Sequence, residues 1–545
     1  MTHEDLKLAM ERIIKIGIAL SSERDLEVLL EMIVEEARRF TGADGGTLFL
    51  VDAEAQVLNW AIVQNETMDI RFGGKGKSAM NPEHFKPISL VDEQGEPAIF
   101  NVASSVVHTG DAVRIDDVYD EHDEYDFEGP LRFDAQTGYR TLSMMVIPLK
   151  HFEGGVIGVL QLINARDPHS GEVVAFDEHH IETTTALASQ AAVAVKNALL
   201  FSDLERQFEA FIQVIASAID EKSPYTAGHV KRVVDVAMRI ARAVHGAEDG
   251  PYASVSFSED EFKALHIASW MHDVGKIATP EYVVDKATKL QTIFDRLSLV
   301  EERFAHIKTM CQRDALAEKL ALLTQSSDAQ VDVSVELARI ERELEERLSE
   351  LDREVAFIKQ CNQGVEFMDD GKLEYLQAIF DSPYMGSDGE AVFKLTEDEL
   401  LNLQIRKGTL TRDEIDIIRD HARVSYAMLS KLPFSRQLKD VPEIAAGHHE
   451  KLNGKGYPRG LTAEQLSLPA RILAVADIFE ALTAKDRPYK KPSPLSMVNR
   501  ILGFMVKDGE LDAELVEFAK QSGVFDAYAQ DEVSEVQRDL VFAQN

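Results

Sequence analysis

Cysteine is almost missing from this chain: Cys311 and Cys361 are the two in 545 residues. That excludes a disulfide framework and makes a reducing, cytoplasmic setting the expectation. Basic residues are also short, 58 Lys+Arg against 94 Asp+Glu, for a net charge of −36. A surface that acidic repels polyanions, which argues against duplex DNA or long RNA as a partner. A small anionic ligand held by a local basic cluster stays compatible with it. Proline and glycine are not enriched, so long disordered tracts are not expected. Long apolar runs are missing as well. The most apolar helical stretch, Ala186 to Phe201, is broken by Gln190, Lys196 and Asn197, so no membrane span is expected. The opening MTHEDLKLAMERI has neither the basic segment nor the apolar run of a signal peptide. What is present is length, too much for one hydrophobic core, and two or more domains are expected.

Residues 1–185 mix helix and strand patterns. A helix from Asp25 to Phe40, apolar at Leu26, Leu29, Leu30, Ile33 and Val34, leads into a strand from Gly46 to Val51. Two more strands, Leu142 to Leu149 and Gly155 to Ile163, flank a hairpin-like turn, and a helix from about Glu178 closes an α+β unit. Its run RTLSMMVIPL…GGVIGVLQLINARD…VVAFDEHHIETTTALASQAAVAV resembles GAF domains, which bind small molecules or serve as dimerisation modules. Asn164 with Phe176, Asp177 and Glu178 is similar to the signature of cyclic-nucleotide-binding GAF domains. Ala165, however, stands where that signature has lysine, so the ligand is left unknown.

Residues 186–220 read as one connecting helix. Val193, Leu200, Leu204, Phe211, Val214 and Ala218 fall on a heptad seam that Asn197 and Gln207 interrupt. A helix packed on its own domains would also fit; a parallel dimeric signalling helix, and so a homodimer, is the preferred expectation. Residues 290–403 differ from both flanks. Leu297, Val300, Phe304, Ile307 and Cys311, then Leu337, Ile340, Leu344, Leu351, Val355 and Ile358, recur at steps of three and four around a turn at Gln325 to Asp328. This predicts an antiparallel helical hairpin with arms of ~30 residues, ~45 Å each. The stretch Asp369 to Glu390 has no assignment.

The chemistry-bearing residues lie on both sides of that insertion, within residues 210–527, before a tail at 528–545. YTAGHVKRV contains His229, and WMHDVGKI contains His272, Asp273 and Lys276. DHAR contains His421, GHHE contains His448 and His449, and RILAVAD ends on Asp477. A single buried histidine is more often a hydrogen-bonded core residue than a ligand. Five histidines and two aspartates in this order are another matter, because imidazole plus carboxylate is the ligand set of Fe, Mn or Zn, and no cysteine points to structural zinc. Two metals a few ångströms apart suit in-line phosphodiester hydrolysis. Lys276 and the basic run Lys485 to Lys491 offer phosphate partners.

The ordered set, with HHEKLNGKGYPRGL and RILAVADIFEALTAKDRPY, closely resembles the HD-GYP family of the HD phosphohydrolase superfamily. The resemblance implies an all-α domain that hydrolyses cyclic di-GMP to pGpG or GMP with a metal centre, usually of iron or manganese. Carried over, the metal ligands are His229, His272, Asp273, His421, His448, His449 and Asp477, with Asp273 bridging. Lys276 contacts the scissile phosphate, Gly456, Tyr457 and Pro458 form the loop beside the substrate, and Arg487 and Lys490 bind its phosphates. Tyr225 replaces the glutamate found four residues before the first histidine in three-metal members. Two divalent ions per protomer, and pGpG as main product, are therefore expected. Asn453 stands where Asp is frequent, a mild change. KIATPEYVVDKATKL and LQIRKGTLTRDEIDIIRDH resemble the two halves of the family's short connector, so the insertion interrupts a loop, where insertions are tolerated. The expected whole is a multidomain protein: an α+β GAF-like sensor, a long connecting helix, and an all-α HD-GYP domain split by a helical hairpin. Competing readings are a non-catalytic receptor for cyclic dinucleotide or for protein partners such as a diguanylate cyclase, and a hydrolase of another cyclic dinucleotide.

Overall fold

From Met144 to Leu149 six consecutive positions are buried, a pattern that arises when a strand is covered on both faces. Met145, Ile147 and Leu149 enter one core and Met144 and Val146 the other. The computed structural model that shows this describes residues 17–20, 23, 25–74, 85–120, 124–151, 154–221, 228–325, 333–386, 389–484 and 492–544. The chain divides into two units, 1–208 and 209–545.

The first unit is built on an antiparallel sheet of β1 (Ala43–Asp52), β2 (Val57–Asn65), β3 (Ile70–Phe72), β4 (Ile88–Ser89), β5 (Val113–Ile115), β6 (Met144–Lys150), β7 (Val156–Arg166) and β8 (Val173–Val174). Its order is β3-β2-β1-β7-β6-β5, with β4 beside β2 and β8 beside β7. The hairpin expected between the second pair of strands is β6–β7, with Ile147 opposite Leu160. Between Leu48↔Ile62 and Phe49↔Trp60 the register slips. The extra residue, Ala61, flips the parity of β2, so Ile62 faces one core and Leu58 the other. The helix Leu26–Thr41, capped by Asp25 and stopped by Gly42 in the left-handed region, covers one face with the long helix Glu178–Asp220. The helix Val102–Thr109 covers the other. Asn164 spends its amide on this scaffold: Oδ1 accepts from Leu142 N at 2.7 Å, and Nδ2 donates to Arg140 O and Tyr139 Oη.

The closing helix and the connecting helix are one element of 43 residues, Glu178–Asp220. Ala191, Val195 and Ala198 enter the first unit's core and Ile212, Ala216 and Ile219 the second's. Val193, Leu200, Leu204, Phe211 and Val214 of the heptad seam are exposed, the last two at 65% and 66%, and so are Asn197, Gln207 and Ala218.

The second unit is helical. Its main core joins the helices His229–His245, Glu259–Met271, Val441–Ala446, Leu468–Thr483 and Leu495–Lys507 with C-terminal helices that include Phe525 and Tyr528. The hairpin is present, with arms Leu297–Gln325 and Val333–Asn362. Lys308–Asp352 and Arg339–Glu318 are among the ion pairs linking the arms, which makes them antiparallel. A separate core from Leu290 to Leu403 stabilises it. The unassigned stretch contains the helix Asp370–Phe380, capped by Asp369, then a two-stranded ribbon pairing Tyr384–Met385 with Ala391–Val392. Buried Lys286 fastens the insertion's base to the helix Arg412–Leu429. Its Nζ donates to Asn402 Oδ1 and to both oxygens of Glu414, each at 2.8 Å.

Candidate metal centre

Glycine at 275 allows the turn after helix Glu259–Met271 to press against helix Arg412–Leu429. A Cβ there would lie 2.0 Å from His421 O and 2.6 Å from Ser425 N. Ser425 Oγ fixes the contact, donating to His272 O and accepting from Gly275 N, both at 2.8 Å. His272, Asp273 and His421 are thereby brought to one point. His448 and His449 reach it from the short turn Gly447–His449, His229 from the first turn of its helix, and Asp477 from the middle of Leu468–Thr483.

All seven expected ligands converge, and Asp273 lies between them. Its Oδ2 is 3.3 Å from His272 Nε2 and 3.7 Å from His229 Nε2. Its Oδ1 is 3.3 Å from His421 Nε2 and 3.9 Å from His448 Nε2. Asp477 Oδ1 is 3.4 Å from His229 Nε2 and 4.0 Å from His272 Nε2. Two groups, His229–His272–Asp273 and His421–His448–His449, each offer ligand atoms within 4.8 Å of one another.

The tautomers follow from the other ring nitrogen. Nδ1 of His272, His421 and His448 faces the carbonyl oxygens of Ser269, Ile418 and Ala445 at 2.8, 2.5 and 2.6 Å. A carbonyl can only accept, so Nδ1 carries a proton and Nε2 is the ring nitrogen turned toward the site. Those three Nε2 atoms and Asp273 Oδ1 are buried without a hydrogen-bond partner. Orphaned acceptors crowded around a carboxylate are costly unless a cation fills the space between them. Burial holds the His448 imidazole well below its ordinary pKa and that of His449 at about 4, so both are neutral, the form that binds metal. Burial works to raise the carboxyls of Asp273 and Asp477, but Lys276 and the histidines around the first, and His229 beside the second, outweigh it. Both are ionised. The residues fit divalent metal ions.

Lys276 Nζ is 2.5 Å from Asp273 Oδ2. Of the loop Gly456, Tyr457 and Pro458, Tyr457 lies over His449: its ring is 4.8 Å from that imidazole, and its N donates to His449 O. A Cβ on Gly456 would come within 2.4 Å of Glu450 Cα. Beside the site an open cleft of about 470 Å³ is lined by Gly275, Thr279, Asp416, Ile417 and Asp420. Arg487, Lys490 and Tyr225 lie outside the described residues.

Three carboxylates at the site went unnoticed in the sequence. Glu450 is buried and accepts from Arg459 N and Leu461 N at 2.7 and 2.9 Å, tying down the loop that carries Tyr457. Asp220, the last residue of the long helix, lies near His229 and is lifted by burial to about 6. Glu480, fully buried, accepts from His229 Nδ1 at 2.5 Å and from Arg232 Nε at 2.6 Å. The available signal was an acid one helical turn after Asp477 and an arginine one turn after His229.

This fold and site define an HD protein with a GAF domain before it. Residues 25–195 match the GAF domain model and residues 397–515 the HD domain model, so the chain carries a GAF domain followed by an HD domain. The second match begins in helix Glu397–Leu403. His229, His272 and Asp273 fall before it, and it is the folded geometry that unites them with His421, His448, His449 and Asp477. Among curated proteins the chain is similar to a 3'3'-cGAMP-specific phosphodiesterase of Vibrio cholerae, 38% identical over 22% of this chain and 26% of that one. It is also similar to a cyclic di-GMP phosphodiesterase response regulator of Xanthomonas campestris, 44% identical over 16% and 22%. A cyclic di-GMP phosphodiesterase of Thermotoga maritima is 41% identical over 17% and 24%. The chain spans about a quarter of the length of the relatives it matches. Among the described residues no helix is long and apolar enough to cross a membrane.

Proposed function

We propose that the chain is a metal-dependent phosphodiesterase that hydrolyses cyclic di-GMP to pGpG and/or GMP, regulated by its GAF domain. The observation that carries this is Asp273, one oxygen facing His272 and the other His421, whose inward Nε2 atoms, like that of His448, have no hydrogen-bond partner. His229, His272, Asp273 and Asp477 would hold one ion, and Asp273, His421, His448 and His449 a second, with iron or manganese suited to the imidazole and carboxylate donors. Such ions, when bound, supply Lewis-acid activation of a phosphodiester and of water.

The chain's own groups do the rest. Lys276, held at Asp273, is the cation for the scissile phosphate. The loop at Gly456, Tyr457 and Pro458, pinned by Glu450, shapes the pocket for the dinucleotide. Arg487 and Lys490 meet its phosphates. The exposed seam of helix Glu178–Asp220 supports a parallel homodimer through which the GAF domain acts, its own ligand unassigned. With two ions pGpG is the main product.

A second reading, 3'3'-cGAMP as substrate, is favoured by the name of the Vibrio relative. Incubating anaerobically purified, iron- or manganese-loaded protein with each dinucleotide, and separating products by chromatography, tests both. Faster conversion of cyclic di-GMP supports the first reading and faster conversion of 3'3'-cGAMP the second. No turnover of either, with both metals, leaves a non-catalytic receptor.

A further inference from the structure

Two helices meet at the site through paired positions. His229 and Arg232 are one turn apart on His229–His245, and Asp477 and Glu480 are one turn apart on Leu468–Thr483. The i, i+3 spacing puts each pair on one helix face. The faces interlock: His229 Nε2 lies 3.4 Å from Asp477, His229 Nδ1 2.5 Å from Glu480, and Arg232 Nε 2.6 Å from Glu480.

His229 differs from the other three histidines whose ring contacts are described above. They give Nδ1–H to a backbone carbonyl of their own turn, which follows from the local chain path. His229 opens its helix, directly behind Gly228, and its Nδ1 faces a side chain instead. Its acceptor comes from more than 200 residues away in sequence, and it is a carboxylate.

We infer that Glu480 is the positioning residue of His229: it fixes the imidazole as the Nδ1–H tautomer, turns Nε2 toward Asp273 and Asp477, and so sets the metal affinity of the His229 group. Fully buried, Glu480 is affordable there because Arg232 pairs with its second oxygen. A carboxylate behind a ligating histidine orients the ring and makes it a stronger donor, and loss of such a partner weakens metal binding by roughly 10- to 100-fold. The inference rests on the reading of His229 as a metal ligand.

The test is manganese(II) binding to the full chain, measured by calorimetry and by metal content after desalting. Wild type, Glu480→Ala, Glu480→Gln, His229→Ala and the double variant His229→Ala/Glu480→Ala are compared. Glu480→Ala is expected to weaken one class of site by roughly 10- to 100-fold while the other persists. Glu480→Gln, which still accepts from Nδ1–H and preserves shape, is expected to lose less, and it stands in if the alanine variant does not fold. In the His229→Ala background the loss of Glu480 is expected to add nothing, because Glu480 acts through that ring. Unchanged affinity in Glu480→Ala and Glu480→Gln overturns the inference, as does an equal loss with and without His229. Wild-type protein that takes up no manganese overturns instead the metal-site reading beneath it.

Discussion

Replacing Gly275 by alanine adds one methyl group where the His272–Asp273 turn meets the His421 helix. That carbon would lie 2.0 Å from His421 O and 2.6 Å from Ser425 N, whereas non-bonded carbon contacts settle at about 3.5 Å. Both neighbours are backbone, so relief requires the helix to retreat by about 1.5 Å. Overpacking of this kind costs about 1–3 kcal/mol. The retreat also stretches the two hydrogen bonds of Ser425 to His272 O and Gly275 N, each contributing about 1 kcal/mol. A loss of about 3–5 kcal/mol follows, or about 1 M in urea midpoint for a large unit. The same movement carries His421 away from Asp273 Oδ1. Metal uptake and turnover are therefore expected to fall further than stability alone dictates, since a 1 Å misplacement costs roughly 100-fold in rate. Urea unfolding followed by circular dichroism, with metal content on the folded fraction, reads both effects. A variant with wild-type midpoint and wild-type metal content would refute the reasoning.

Other outcomes test other parts of the molecule. Val214→Glu and Leu204→Glu place charges on the exposed heptad seam and are expected to turn a dimer into a monomer in sedimentation velocity; a wild type that is already monomeric counts against the seam. In the insertion core Glu354 pairs with buried Lys394 at 2.7 Å, and Glu354→Ala strands that ammonium at a cost of about 3–5 kcal/mol. Joint replacement by leucine and methionine is expected to recover most of the loss in the unfolding midpoint. Burial lowers the Lys289 ammonium to about 8, where its Nζ donates to the carbonyls of Leu403 and Ile405. An unfolded lysine keeps its proton to about 10.4, so between these values the unfolded chain binds more protons, and stability rises with pH. Below pH 8 both states are protonated and the slope vanishes. Unfolding midpoints from pH 7 to 9.5 are expected to climb in wild type and stay flatter in Lys289→Met; equal slopes would remove Lys289 from the account.

The long helices and the converging histidines were legible because their signals are strong and repeated. Steps of three and four marked the hairpin, and the histidines and aspartates came in an order that chance does not supply. Strand β2 gave no clear signal because its bulge at Ala61 breaks the alternation that marks a half-buried strand. The ribbon at Tyr384–Met385 and Ala391–Val392 is too short to alternate at all. Glu480 and Glu450 escaped for a different reason. In sequence Glu480 is an acid inside an apolar run and Glu450 one between His449 and Lys451, and only the fold shows one behind His229 and the other beneath the Tyr457 loop. Asn164 illustrates the reverse: a residue with the look of a ligand contact is consumed by the backbone of Leu142 and Arg140.

The proposed activity requires that this set of side chains make a working metal site. The most direct measurement is conversion of cyclic di-GMP by manganese-loaded full-length protein, beside the same protein stripped by chelator and beside Asp273→Asn. Linear product is expected from the loaded protein, none after chelation with recovery on adding manganese, and a loss of roughly 100-fold or more in Asp273→Asn. Turnover that survives both chelation and Asp273→Asn would contradict that requirement.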